Sequence, residues 1–295
     1  MNVLVLAEND AAARDLCAGA YTLTDEVSLV VFDPDSSLRC ANKVFCIDVP
    51  EDRTVDDAYL TVKGIVVEEE PAIVLVEPTR SLKVVAGRLA DRFGTSVVTD
   101  ILSLNDNQAD KMYFGGVGHR LCEVRGNIAL YTVGAGVLGG VEEEKSAVVK
   151  KVDYLVPDGA LTVVGESPLE SCGTNLPAAD VVVAGGRGFA SKEELGLLND
   201  LAHKIGGECG CTRPLSEGVD WMPRETYIGV SGLMLAPKVY VGVGISGQMQ
   251  HMVGCNRAAT LFAINKDKNA PIFKMCDYGL VGDLNEALPA LVAAL

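Results

Sequence analysis

The chain has 295 residues, of which 48% are hydrophobic and 22% charged, and its formal net charge is −15. That length suits two ordinary domains or one large one, and the apolar share excludes a disordered chain. The acidic balance excludes a nucleic-acid binder, which needs clustered Lys and Arg against phosphates, and it disfavours docking on an anionic membrane.

The segment MNVLVLAEND opens directly on a strand pattern, Val3 to Ala7. It has no basic leader, and no run elsewhere approaches the roughly 18 apolar residues of a membrane span, so no stable membrane anchor is expected. Nine cysteines are scattered without a framework, and the Cys209-Gly-Cys211 spacing fits neither zinc nor a thioredoxin-type site. The expectation is a cytoplasmic protein with reduced thiols, and with three histidines no metal site is expected.

Strand-length apolar runs follow at Val27 to Phe32, Lys43 to Asp48 and Ala72 to Glu77. Helical patterns lie between them at Ala11 to Ala20, Val55 to Glu69 and Ser81 to Phe93. Such alternation predicts a mostly parallel sheet with helices on both faces. Met112 to Arg120 and Asn127 to Val133 lie closer together and are expected to pair antiparallel, with Gly115-Gly116 marking a turn or bulge. From Val137 to Pro177, Gly, Pro and Glu clusters punctuate short apolar runs. A domain boundary is placed near Cys172, dividing the chain into an N-terminal α/β domain, 1–172, and a second domain, 173–295.

The second domain is expected to open with strand Val181 to Ala184, then Gly185-Gly186-Arg187-Gly188 and a helix from Lys192 to Ile205. Ser191 and Glu194 have capping-box spacing. The glycine loop is an incomplete dinucleotide fingerprint, because Ser191 stands where the third Gly belongs. Arg213 follows a short strand-like stretch, with Pro214 suited to a first helical turn. Taken alone, it reads as a surface salt bridge.

The most informative stretch runs from 239 to 265. Strand Val239 to Val243 ends in Gly244 and opens through Ser246-Gly247 into Gln250-His251, and a second strand, Ala259 to Ile264, delivers Asn265. A strand, glycine turn and helix start favour a phosphate, and Gly244 and Gly247 permit close approach to a ligand. Helix capping competes for Ser246 and Asn265, and a satisfied core role competes for His251. Asp283, ahead of a final helix from Leu284 to Leu295, also suits an N-cap. No Walker A loop, nucleophile elbow, zinc-protease motif or paired CxxC is present.

GISGQMQHMVG, AINKDKNAPIF and DYGLVGD resemble the signature region of the electron transfer flavoprotein α subunit, specifically its FixB-like branch. The likeness is specific from about Val181 to the C-terminus and looser in the first half. It implies a doubly wound FAD-binding domain and a heterodimer with a β subunit. The chain would be an electron carrier rather than an enzyme, linking acyl-CoA dehydrogenase-type flavoproteins to another redox partner. FixB-like members are associated with reduction of carnitine-type or other enoyl-CoA substrates.

Residue by residue, the resemblance sets Arg213 and His251 against the flavin ring, and Ser231 near its N5. Ser246, with Gly247 beside it, joins Gln250 and Asn265 at the pyrophosphate, and Asp283 meets the adenosine end. Val230 stands where the family usually has Gln. The competing reading is an NAD(P)-binding oxidoreductase or transhydrogenase-like subunit, using the loop at 185–188.

Overall fold

The computed structural model describes residues 1–105, 108–114, 118–165, 167 and 175–295. It divides into two compact units, Met1–Tyr113 with Gly118–Ser167, and a second unit running Pro168–Leu295. The boundary expected near Cys172 and the turn expected at Gly115-Gly116 lie outside the described residues.

The first unit alternates strand and helix: β1 (Asn2–Ala7), α1 (Asp10–Ala20), β2 (Glu26–Val31), β3 (Lys43–Asp48), α2 (Tyr59–Glu69), β4 (Ile73–Val76) and α3 (Arg80–Phe93). Then come β5 (Val97–Asn105), β6 (Gln108–Tyr113), β7 (Gly118–Glu123), β8 (Ala129–Val133) and β9 (Val148–Asp153). Among the described residues they form one sheet, β7-β6-β5-β8-β4-β1-β2-β3-β9. It is parallel from β5 to β9, with β6 and β7 added antiparallel at one edge.

The strand period of two divides the apolar residues between two cores. Val3 and Val5 face Leu16 and Cys17 of α1, whereas Leu4 and Leu6 face Val62 of α2 and Leu82 of α3. Burial on both faces explains why these strands read as unbroken apolar runs. Helix α3 is stopped at both ends: Thr79 Oγ1 accepts from the Leu82 amide at 3.1 Å, and Gly94 takes φ 63°.

One predicted pairing is wrong. Met112 to Arg120 straddles the β6–β7 hairpin, and β8 lies parallel between β4 and β5. All five residues of β8 are buried, which demands a central strand rather than a hairpin arm.

The second unit contains β10 (Val181–Gly185), α4 (Leu195–Lys204), β11 (Glu208–Cys211), β12 (Val239–Val243), the short α5 (Met249–Met252), β13 (Thr260–Asn265), β14 (Tyr278–Val281) and α6 (Leu284–Ala294). Its all-parallel order is β11-β10-β12-β13-β14. The chain steps from β10 to β11 on one side, then returns to β12 on the other. That makes a doubly wound sheet whose direction reverses between β10 and β12.

The capping box expected at 191–194 does not form. Glu194 Oε2 accepts instead from the Ala190 amide at 2.7 Å, and α4 begins only at Leu195. No helix among the described residues is long and apolar enough to cross a membrane.

Candidate cofactor-binding site

Reversal of the winding direction splays the connections leaving β10 and β12, and a crevice opens beyond their carboxyl ends. A cleft of about 550 Å³ lies there, within the range of small-molecule sites. Residues 186–188 after β10, 212–214 after β11, 244–246 and 248 after β12, and 265 and 267 after β13 line it. Tyr227, Val230 and Ser231, together with Gln250 and His251, close one side.

The glycines at these strand ends serve backbone packing first. The loops after β10 and β12 touch, with the Gly188 amide donating to Gly244 O at 2.9 Å. A Cβ on Gly186 or Gly188 would come within 2.5 Å of Gly244. Gly247, at φ 87°, presses on Ile272, where a Cβ would lie 2.3 Å from the amide nitrogen. Gly247 therefore shapes the loop between Ser246 and Gln248, both of which line the cleft. The loop at 185–188 departs from a dinucleotide fingerprint, since six residues separate Gly188 from the start of α4.

Of the expected site residues, Arg213, Ser231, Ser246, Gln250, His251 and Asn265 line this cleft. Arg213 precedes a π-helical turn, Pro214–Gly218, and its Nε donates to Glu217 Oε2 at 2.5 Å. Glu217 also pairs with Arg224 at 3.2 Å, so part of the Arg213 charge is balanced locally. Ser231 is exposed and sits at φ 70°, a left-handed conformation that costs a non-glycine residue about 1 kcal/mol or more. Ser246 does not cap α5, whose N-cap is Gln248 with no side-chain bond.

Asn265 is tied at both ends of its amide. Nδ2 donates to Ile245 O at 2.8 Å and Oδ1 accepts from the Asp267 amide at 2.9 Å. It holds two cleft loops together and keeps one N–H to spare.

Two of the expected residues have polar groups already engaged within the protein. Asp283 is absent from the lining, and its carboxylate accepts from the Asn285 amide at 2.8 Å as the N-cap of α6. His251 was expected to offer an imidazole donor to a ligand. Its Nδ1–H donates instead to Ile228 O at 2.9 Å, and Nε2 bonds the Tyr240 hydroxyl at 2.7 Å. Burial pushes its pKa down to about 4, with the Ile228 carbonyl pulling the other way.

Two residues not singled out for the site complete its polar wall. Arg187 is exposed at the cleft and has no ion-pair partner among the described residues. Thr212 is 8% exposed, and its Oγ1 has no hydrogen-bond partner. A buried hydroxyl without a partner is costly unless something else supplies one. The position of Thr212 next to Arg213 could have flagged it, but its missing partner is visible only in three dimensions.

Two cations, an orphaned hydroxyl and several spare amides at a switch point define the class: a doubly wound domain built for an anionic, nucleotide-type cofactor. Comparison with known proteins narrows it. Residues 175–256 match the electron transfer flavoprotein FAD-binding domain, and residues 3–156 match the electron transfer flavoprotein domain. The chain is 37% identical over 306 aligned positions to protein FixB of Salmonella typhimurium, covering 100% of this chain and 98% of that protein. FixB of Escherichia coli O139:H28 and of Shigella dysenteriae serotype 1 are each 36% identical, covering 99% of this chain and 97% of theirs. The chain belongs to the electron transfer flavoprotein family, with FixB-type, α-subunit-like organisation. Its cofactor is FAD, and its role is electron transfer.

Proposed function

We propose that this chain is the FAD-carrying subunit of a cytoplasmic heterodimer completed by an electron transfer flavoprotein β subunit. The heterodimer takes electrons from acyl-CoA dehydrogenase-type flavoproteins and passes them to a second redox partner. The domain division lies in the segment around Cys172. Bound FAD supplies the one- and two-electron redox chemistry, and the chain's residues bind it, orient it and set its electrostatic surroundings.

Arg187, Ser246 and Gln250 hold the pyrophosphate at the mouth of β10 and β12. Asn265 keeps the adjoining loops in register and offers its remaining N–H. Arg213 and Ser231 face the ring, where the guanidinium favours added negative charge. The partnership of Arg213 with Glu217 moderates that influence. In this reading the chain acts as an electron carrier rather than an enzyme.

The observation that carries this function is the unpartnered Thr212 hydroxyl at the switch-point cleft, flanked by Arg187 and Arg213. Purification with the adjoining β-type subunit tests it. The complex should show flavin absorbance and release one FAD per heterodimer on denaturation. A colourless complex that fails to take up FAD, or that takes up NAD in preference, would overturn the assignment.

A further inference from the structure

Given FAD in this cleft, as proposed above, we infer that Tyr227 is a positioning residue for the cofactor. Its hydroxyl holds the Val230–Ser231 peptide turned so that the Ser231 N–H, and not the Val230 carbonyl, is offered to FAD.

The form of the turn carries the assignment. Residues 229–232 close a four-residue turn, with the Gly232 amide donating to Gly229 O at 2.9 Å. Ser231, in its third place, sits at φ 70°, whereas Val230 stays out of the positive-φ region. That combination marks a type II turn, whose third place ordinarily takes Gly or Asn. A type I turn would spare Ser231 the left-handed conformation. The two forms differ by about 150° in ψ of the second residue and about 170° in φ of the third, which turns the central peptide over. Here the central peptide is held by its carbonyl, because the Tyr227 hydroxyl donates to Val230 O.

Tyr227 is itself firmly placed. It is 5% exposed and lines the cleft beside Val230 and Ser231. Its backbone is anchored on both sides, by the Ile228 amide donating to Cys211 O at 2.9 Å and the Leu233 amide donating to Tyr227 O at 2.8 Å. The turn packs on the ring, since a Cβ on Gly232 would lie 2.6 Å from Tyr227 Cδ1. Burial raises the phenol pKa against a downward pull from Arg213, so at neutral pH the hydroxyl keeps its proton and donates.

In a trans peptide the N–H points opposite to the C=O. With Val230 O held by Tyr227, the Ser231 N–H is directed away from the phenol, and it has no hydrogen-bond partner among the described residues. Val230 brings no polar side-chain atom, so the donors of this edge are the hydroxyl and the N–H of exposed Ser231. A fixed donor favours the reduced cofactor, which carries more negative charge, over the oxidised one.

Amide exchange tests the orientation. Labelling this chain with carbonyl-carbon-13 valine and nitrogen-15 serine marks two peptides, Val27–Ser28 and Val230–Ser231. Ser28, buried in β2, is the internal reference. In the complex with the β-type subunit, the Ser231 amide should exchange freely without FAD and at least about tenfold more slowly with it. In Tyr227→Phe that protection should vanish while flavin absorbance remains. Bound FAD with an unprotected wild-type Ser231 amide, or equal protection in Tyr227→Phe, would overturn the inference and leave the FAD reading standing. A wild-type complex that takes up no FAD would refute that reading, and this inference with it.

Potentiometry separates positioning from simple support of the fold. Tyr227→Phe should bind oxidised FAD within about threefold of wild type, while its preference for reduced over oxidised FAD falls about tenfold, or about 59 mV in a one-electron potential. Equal losses in both oxidation states, at unchanged potential, would make the phenol a structural prop and overturn the inference. Ser231→Gly supplies the control, because glycine holds a positive φ unaided. Adding Tyr227→Phe to Ser231→Gly should shift the potential less than half as far as it does alone. An equal shift in both backgrounds would mean that Tyr227 acts on FAD directly and not through the turn.

Discussion

Each sheet has a place where the chain's direction of winding reverses, and the two treat the resulting crevice in opposite ways. In the first unit the reversal falls between β1 and β4. There Glu77 fills the place with its own carboxylate, accepting from the amides of Glu8 at 2.7 Å and Asn9 at 3.1 Å and from the Asn9 side chain. Glu8 adds to the acidity, its own carboxyl raised first by burial and further by Glu77 and Asp56, against a bond from Thr79 that lowers it. In the second unit the reversal between β10 and β12 meets Arg187, Arg213 and an unpartnered Thr212 hydroxyl. Topology supplies a crevice in both. Only where strand-end polar groups stay unsatisfied, under positive charge, does an anionic cofactor gain by entering.

Removing the internal anion should have the largest effect. Glu77→Ala leaves three donors at the first crevice without their acceptor and should cost about 4 kcal/mol of folding stability. FAD content at a permissive temperature should not change. Denaturant titration beside flavin absorbance checks both, and loss of FAD at intact stability would break the contrast between the crevices.

Acid should also separate the units. His251 is held at about 4 when folded against about 6.5 unfolded, so between those values the unfolded chain binds a proton that the folded chain does not. Stability of the second unit therefore falls as the pH drops through that window, by roughly 3 kcal/mol in all. In the first unit, burial would raise Asp57 and Glu69, but Leu161 N–H and Arg88 hold Asp57 low, and Lys43 and Ser28 hold Glu69 low. Their stabilisation is complete above the unfolded carboxylate pKa of about 4 and is lost only as the pH falls further. Emission from Trp221, the sole tryptophan, reports the second unit. Its denaturation midpoint should drop between about pH 6.5 and 4.5 while amide exchange in β1 to β4 holds steady. The reverse order would contradict the burial of His251.

Ser246→Ala comes next. With no cap to lose, the apo-protein should keep its stability within about 0.5 kcal/mol, while FAD weakens by about 1–3 kcal/mol. Calorimetric melting and FAD titration together decide. Smaller again is Arg213→Ala, because Glu217 already balances part of that charge. The one-electron potential should fall by up to about 60 mV, and Glu217→Gln should move it the other way. An unchanged potential in both variants would make Arg213 a surface residue.

Much of the architecture was legible because burial on both faces leaves a plain trace: β1 to β4 are largely apolar runs, and α1 and α3 are amphipathic. Elements with a mixed trace were harder. β9 is largely exposed, and β5 carries Thr99 and Asp100 at an irregularity in its pairing, so neither shows a clean period. The partners of β8 depend on contacts remote in sequence. At the site, six of the residues expected from the resemblance line one cleft, whereas hydrogen-bond satisfaction stayed invisible. Asp283 is a cap, His251 is saturated and Asn265 ties two loops, while Thr212 beside Arg213 is the group left without a partner.

Thr212→Val gives the most direct test, because it exchanges the orphaned hydroxyl for a methyl of similar shape. If the second crevice binds FAD through groups that folding leaves unsatisfied, the apo-protein should melt at the same temperature or higher, by up to about 1 kcal/mol in stability, while FAD binds about tenfold more weakly. Apo-stability that drops while FAD affinity stays at wild type would show that the hydroxyl serves the fold, and would contradict the account.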